Sequence, residues 1–228
     1  MANYVIGCDE AGRGCVIGPL AMTAFAVETS KEQQLHLAGA RDSKEMTAQK
    51  REAALEKIRE IGDYKTRLIS AGEITLGMER KISLNEIEAI AIAGLLDGFV
   101  KEIAARGDKI DAIYLDSPDP QPEKYEKRVR KNSMHLQGVK IISENKAENK
   151  HPSVAAASVV AKTTRDAELE KIKELFGEDF GTGYTHDAVT IDFVKRHLKD
   201  GRFKPFLRTK WKTVKNMQTV QVDLKKYL

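Results

Sequence analysis

The chain has 228 residues, 41% hydrophobic and 32% charged, with a formal net charge of +4, enough for one domain, or one domain with a small appendage, and a real core. No apolar run reaches the length of a membrane span, and a strand-like pattern already under way at Tyr4 leaves no room for a signal peptide. Only Cys8 and Cys15 are present, which excludes a disulfide scaffold or a Cys-rich zinc site and makes a reducing cytoplasm the expected location.

Apolar runs at 4–8 and 19–27, joined by a glycine-rich turn, predict two strands. "MTAQKREAALEKIREIG" predicts a helix with Thr47 as N-cap and Gly62 as stop, and "YKTRLIS" a third strand. In "SLNEIEAIAIAGLLDGFVKEIAARG", Ser83 and Glu86 read as a capping box and Gly107 as the stop. Leu84, Ile87, Ala91, Leu95, Phe99 and Ile103 read as its buried stripe. "IDAIYLD" predicts a buried strand ending on Asp116, "PDPQP" a rigid turn and "VKIIS" a further strand. A long helix is expected from about Pro152 to Phe176, with shorter helices beyond Asp187. This order describes an α/β mixed sheet with a helical C-terminal part, divided as a body of 1–176 and a basic region of 177–228.

Charge is unevenly spread. From Gly201 to Leu228 eight Lys/Arg stand against one acid, Asp223, whereas residues 1–200 hold 30 against 33. A basic tail is often just solvated. Here Phe203, Phe206, Leu207 and Trp211 interleave with the charges, so the segment can pack and still offer cations to a phosphate backbone. Trp211 reads as the anchor of that tail.

Acids recur where the predicted strands end: Asp9 and Glu10, then Asp116, then Glu144 and Glu148 before the long helix. Clefts of α/β proteins form where strand ends and helix starts converge. Acids gathered there repel one another unless hard divalent cations neutralise them, and a pair of such cations activates water against a phosphodiester. Taken singly, each acid reads more readily as a surface strand terminus or helix cap. The spacing reaches a metal nuclease or phosphotransferase and stops there.

"DEAGRGCVIGP" (9–19), "RDSKEMT" (41–47), "YLDSPD" (114–119), "ENKAENKHPSVAAASVVAKTTRD" (144–166) and "GTGYTHD" (181–187) together resemble ribonuclease HII, the type 2 RNase H, in its archaeal form. "FLRTKWKT" is similar to the archaeal C-terminal region. The resemblance implies an RNase H-like mixed β-sheet flanked by helices with a helical C-terminal part. It implies an endonuclease that cuts the RNA strand of RNA–DNA hybrids and single ribonucleotides embedded in duplex DNA, in replication and in ribonucleotide excision repair. Cleavage 5′ of the ribonucleotide would leave 3′-hydroxyl and 5′-phosphate ends, with Mg²⁺ or Mn²⁺ as cofactor. It further implies a monomer, and leaves open a sliding clamp docking on the tail.

The family's four acidic positions map onto Asp9, Glu10, Asp116 and Glu148: the first three as metal ligands, Asp9 shared by both ions, and Glu148 on the side of the attacking water. Gly12, Arg13 and Gly14, with Tyr184 downstream, map onto the elements that read the 2′-hydroxyl and the RNA-to-DNA junction. Lys44, Lys162 and Arg165 read as phosphate contacts, the latter two three apart on one helix face beside Ser158. His186 reads as a helix-start partner of Asp187 rather than a base, and both cysteines as small packed residues. The sequence departs from the family pattern at Glu148, where Asp is usual, at His151 and Ala155, where Tyr and Ser are frequent, and at Thr185-His186, where Pro-Ser is frequent. Three other readings stand beside this one. A carboxylate nuclease or recombinase blind to the 2′-hydroxyl is one, and a binding module with degenerate acids is another. The third is a nucleotide loop at "GRGCVIG", which lacks both the Gly-Lys-Ser/Thr ending and the G-x-G-x-x-G spacing.

Overall fold

The computed structural model describes residues 1–224 apart from Asp42, Lys44 and Glu45, with side chains described as far as residue 218. Lys44 therefore lies outside the described residues. Strands β1 (Asn3–Ala11), β2 (Leu20–Glu28), β3 (Asp63–Ile69), β4 (Lys109–Asp116) and β5 (Ile141–Glu144) form one sheet in the order β3-β2-β1-β4-β5. β1 runs antiparallel to β2 and parallel to β4, which runs parallel to β5. The expected mixed sheet is present, flanked by helices. The described helices are α1 (Glu32–Leu37), α2 (Ala48–Ile61), α3 (Ala71–Glu79), α4 (Leu84–Ala105), α5 (Pro122–Lys131), α6 (Pro152–Phe176), α7 (Ala188–His197) and α8 (Lys212–Leu224).

Local chemistry explains most boundaries. Thr47 caps α2 by accepting from Lys50 N, and Gly62 ends it in extended rather than left-handed backbone. Asp187 caps α7 through Val189 N. Two helices escape the sequence reading. α5 begins on Pro122, inside what reads as a rigid turn, because proline suits the first helical position. α3 opens on a complete capping box between Ser70 and Glu73, a pattern visible in the sequence but overlooked beside the stronger one after it. Ser70→Ala is expected to lower stability by about 1 kcal/mol, measurable by denaturant titration.

The clearest helix buries a different face from the one expected. α4 buries Glu88, Ala89, Ile92, Ala93, Leu96, Phe99 and Ile103, while Leu84, Ile87, Ala91 and Leu95 are only half-buried. A helix apolar nearly all round carries two competing stripes, so periodicity alone does not choose between them.

The chain divides into two compact units at points other than a cut after residue 176. The first comprises Met1–Ala11, Ala21–Arg67 and Asn85–Thr164, the second Gly12–Leu20, Leu68–Leu84 and Arg165–Leu228. The reason lies in α6, whose 25 residues extend for about 37 Å. Its Ala155–Val160 stretch packs with Val5, Phe25 and Val27 in the first unit's core. Leu169 and Ile172 pack with Val16, Ile17, Phe193 and Phe203 in the second.

In the first unit, α6 meets the sheet at Gly7. A Cβ there would lie 2.1 Å from the Ser153 carbonyl carbon and 2.2 Å from Val154 N. Only glycine allows the first turn of α6 to rest directly on β1.

Candidate active site

β1 runs on through both acids to Ala11, so Asp9 and Glu10 lie within the strand's last turn of pleat rather than beyond its end. In the parallel β1/β4 pairing Cys8 sits opposite Leu115, which brings Asp9 level with Asp116, the last residue of β4. Carboxylate oxygens of Asp9, Glu10 and Asp116 all lie within 4.8 Å of one another. At an effective dielectric of about 20, two ionised acids at that separation repel by about 3 kcal/mol.

Asp9 is the buried member, 7% exposed. Burial pushes its carboxyl well above the ordinary range, and the neighbouring Glu10 and Asp116 push it further. Hydrogen bonds from the Ser158 hydroxyl and the Glu10 amide work against that shift without reversing it. Ser158, on α6, is itself bonded to the Ser43 hydroxyl at 2.8 Å. Ser43, within the "RDSKEMT" block, thus supports the site indirectly, a part the sequence reading did not give it. Asp116 Oδ1 accepts from Ala147 N at 2.9 Å, so the loop after β5 is tied to the cluster.

That loop turns on Lys146, held in left-handed backbone, and places Glu148 on a single 3₁₀ turn. Glu148 falls outside the 4.8 Å trio. It is nevertheless buried, 8% exposed, and its Oε2 has no hydrogen-bond partner. An unsatisfied buried carboxylate oxygen is costly and calls for a water or a cation's shell. His151, one residue before α6, stacks on Tyr114 and shares a 2.8 Å hydrogen bond with Glu144.

The donors fit a hard divalent cation. They are all oxygens, they repel one another without one, and a further buried oxygen, on Glu148 beside the Ala147 amide that binds Asp116, lacks a partner. Among the described residues no other set of three or more such side chains gathers in this way.

In the second unit, the Gly12–Cys15 turn is closed by Cys15 N donating to Gly12 O. Gly12 needs glycine, at φ +88° with Pro19 O against its open side, whereas Gly14 is not in the left-handed region. Gly14 instead faces Tyr184: a Cβ would sit 3.6 Å from the ring. Tyr184 pairs with Cys15 through an isolated antiparallel bridge. Burial, with Cys15 beside it, pushes its phenol up to about 12, so the hydroxyl stays protonated at any working pH and Tyr184 is no base. His186 stacks on the Tyr184 ring, and Asp187 makes the helix cap by itself.

Arg165 departs from the expected phosphate contact. It is 1% exposed, and its Nη2 donates to Thr182 O and Cys15 Sγ. Its guanidinium lies 5.2 Å over the Tyr184 ring. It braces the Gly12–Cys15 turn from within, because α6 directs this side chain into the second unit's interior. Lys162, one helical turn beyond Ser158, is half-buried. Both cysteines are buried and outside any disulfide, as expected, and Trp211 packs beside the second unit's core with Arg208 over its ring. Arg208 was overlooked altogether: within a run of tail cations, nothing in its sequence context separates it from a solvated charge, yet it is fully buried.

A mixed α/β sheet that gathers only carboxylates at the carboxyl ends of neighbouring parallel strands belongs to the class built to hold hard divalent cations. The family model for ribonuclease HII matches residues 6–214. Ribonuclease HII of Methanocaldococcus jannaschii is 36% identical over 219 residues, covering 93% of this chain and 94% of that one. The ribonuclease HII of Archaeoglobus fulgidus, solved in complex with PCNA, is 36% identical, with TM-score 0.75 over 93% of this chain and 96% of that one. The Bst RNase HIII solved with Mn²⁺ has TM-score 0.82 at 20% identity, covering 96% of this chain and 70% of that one, a likeness of fold. The chain belongs to the ribonuclease HII family and is a hydrolase of the ribonuclease H type. Among the described residues no helix is long and apolar enough to cross a membrane.

Proposed function

We propose that the protein cuts the RNA strand of RNA–DNA hybrids and single ribonucleotides embedded in duplex DNA, 5′ of the ribonucleotide, leaving 3′-hydroxyl and 5′-phosphate ends. The observation that carries this is the trio Asp9, Glu10 and Asp116, gathered within 4.8 Å in a ribonuclease HII chain. Asp9, Glu10 and Asp116 would hold Mg²⁺ or Mn²⁺, with Asp9 shared between two ions. When bound, the cations offset the acids' repulsion, acidify the attacking water and stabilise the leaving oxygen. Asp9 would be the shared ligand, its Oδ1 already oriented by the Glu10 amide at the end of a rigid strand. Glu148, through its unpartnered Oε2, orients the attacking water.

The turn at Gly12, Arg13 and Gly14 follows Glu10 by two residues and, with Tyr184, reads the 2′-hydroxyl, which is both donor and acceptor. Lys44 and Lys162 would contact phosphates. Arg165 would act from inside the second unit by holding Tyr184 and the turn. We read the enzyme as a cytoplasmic monomer of ribonucleotide excision repair and replication. The PCNA complex of the Archaeoglobus fulgidus relative supports a sliding clamp as partner; we place its docking on the basic tail.

The test is incubation with a duplex carrying one ribonucleotide, under Mg²⁺, Mn²⁺ or chelator, with both product ends mapped. The expected result is metal-dependent cleavage 5′ of the ribonucleotide. Equal cutting of an all-DNA duplex, or 3′-phosphate ends, would overturn the reading. Tyr184→Ala is expected to weaken preference for the single ribonucleotide while leaving the metal titration unchanged; the ratio of kcat/KM on single-ribonucleotide and full-hybrid substrates reports it. Glu148→Asp shortens the acid by one C–C bond and is expected to shift the relative rates under Mg²⁺ and Mn²⁺. Identical profiles for both enzymes would deny the longer side chain any special part.

A further inference from the structure

We infer that Arg208 is a specificity-determining positioning residue, which locks the central peptide of the Gly12–Cys15 turn so that the Gly14 N–H, a donor, faces outward. This rests on the proposal that the turn reads the ribonucleotide.

Arg208 is fully buried although charged, and a guanidinium is removed from water only at considerable cost. Three of its N–H groups donate to the main chain of one loop. Nη1 donates to Arg13 O at 2.9 Å, Nε to Gly18 O at 3.1 Å, and its own amide to Val16 O at 2.9 Å. The segment from Arg13 to Gly18 is thus gripped at both ends by one planar group, a geometry that arginine's fork offers and lysine's single amine does not.

The bond to Arg13 O matters most. In a β-turn closed from Cys15 N to Gly12 O, the peptide joining Arg13 and Gly14 is the central one. Turn types I and II differ by a flip of that peptide, and type II requires a left-handed residue third in the turn. Glycine adopts that conformation without penalty, so Gly14 leaves the peptide free to flip. In the structure it has not flipped, because Gly14 lies outside the left-handed region. Peptide planarity then supplies direction. In a trans peptide the carbonyl and the following N–H point opposite ways. With Arg13 O drawn inward to Arg208, the Gly14 N–H points away from the core, and Gly14 is exposed. Gly14 thus permits close approach of a nucleic acid, and Arg208 removes the ambiguity that glycine introduces. A flipped peptide would offer a carbonyl, which a ribose hydroxyl can meet only as donor and a phosphate oxygen cannot meet at all.

The experiment compares two quantities under saturating Mg²⁺: KM for a duplex with one ribonucleotide, and Ki for the same duplex in all-DNA form as competitor. Arg208→Lys keeps the charge but cannot hold both carbonyls. It is expected to raise KM about tenfold, the effect of one well-made hydrogen bond, with Ki unchanged. Arg208→Gln, lacking the fork, is expected to do the same, and either folded variant decides. Val214→Ala, a core truncation in α8, should lower Tm and leave the Ki/KM ratio at its wild-type value. A wild-type ratio in the Arg208 variants, or a fall of the same size in Val214→Ala, overturns the inference. A wild-type enzyme whose Ki equals its KM would instead remove the reading of the turn on which it stands.

Discussion

Asp9→Asn is expected to abolish turnover and, in chelator, to make the protein more resistant to heat. The two effects have one cause. Asp9 is buried with Glu10 and Asp116 beside it, and its carboxyl is raised well above the ordinary value. A group whose folded-state pKa is raised binds more protons folded than unfolded. Stability of the metal-free protein therefore falls as pH climbs from the ordinary carboxylate value, near 3.8, through the raised one. Asparagine keeps an oxygen for the Glu10 amide but carries no charge, so that slope should disappear and Tm at neutral pH should rise. Adding Mg²⁺ or Mn²⁺ should stabilise the wild type through binding to the folded form and leave Asp9→Asn unmoved. The rate loss should exceed the roughly 10–100-fold typical of removing a residue that only supports a ligand. Melting curves across pH in chelator, beside single-turnover cleavage with metal, check both halves. Near-normal cleavage by Asp9→Asn would end the assignment, whatever the melting curves say.

What the sequence disclosed follows from the range over which each signal acts. Caps and periods are local, so Thr47, Gly62 and the limits of α6 at Pro152 and Phe176 are readable from neighbours a few residues away. The face buried by α4 is not local. Two apolar stripes compete there, and packing chose the one that includes Glu88. The convergence of Asp9 with Asp116 spans more than a hundred residues and depends on β1 and β4 pairing in parallel, which no spacing rule supplies; the family resemblance suggested it. Arg165 and Arg208 show the converse error. A cation in sequence looks like a contact for solvent or phosphate, and only packing reveals that both donate to backbone carbonyls inside the second unit. Arg165, which reads as a phosphate contact, and Arg208, which the sequence does not single out, are therefore both framework.

Gly7→Ala is expected to do the largest damage to the fold, and to carry activity with it. The added methyl would lie 2.1 Å from the Ser153 carbonyl carbon and 2.4 Å from its oxygen. These are backbone atoms in the first turn of a 25-residue helix, so no side-chain rotation relieves the overlap. α6 would have to retreat from β1 by about 1 Å, and overpacking of this kind costs about 1–3 kcal/mol or more. The same helix carries Ser158, whose hydroxyl bonds Asp9 two residues along β1 from the substitution. A displacement of about 1 Å in a positioned group can lower a rate about 100-fold, so kcat should fall by an amount that lost stability alone does not explain. Gly94→Ala provides the contrast. It lies on the exposed side of α4, where a Cβ meets nothing within 4 Å, and alanine there should stabilise the helix by about 0.5–1 kcal/mol with no change in kcat. Both variants add one methyl to a glycine, so their opposite signs in Tm isolate the contact between α6 and β1. Wild-type melting and turnover in Gly7→Ala would mean that this helix does not rest on the strand that bears the acids, and the geometry assigned to Asp9 would lose its support.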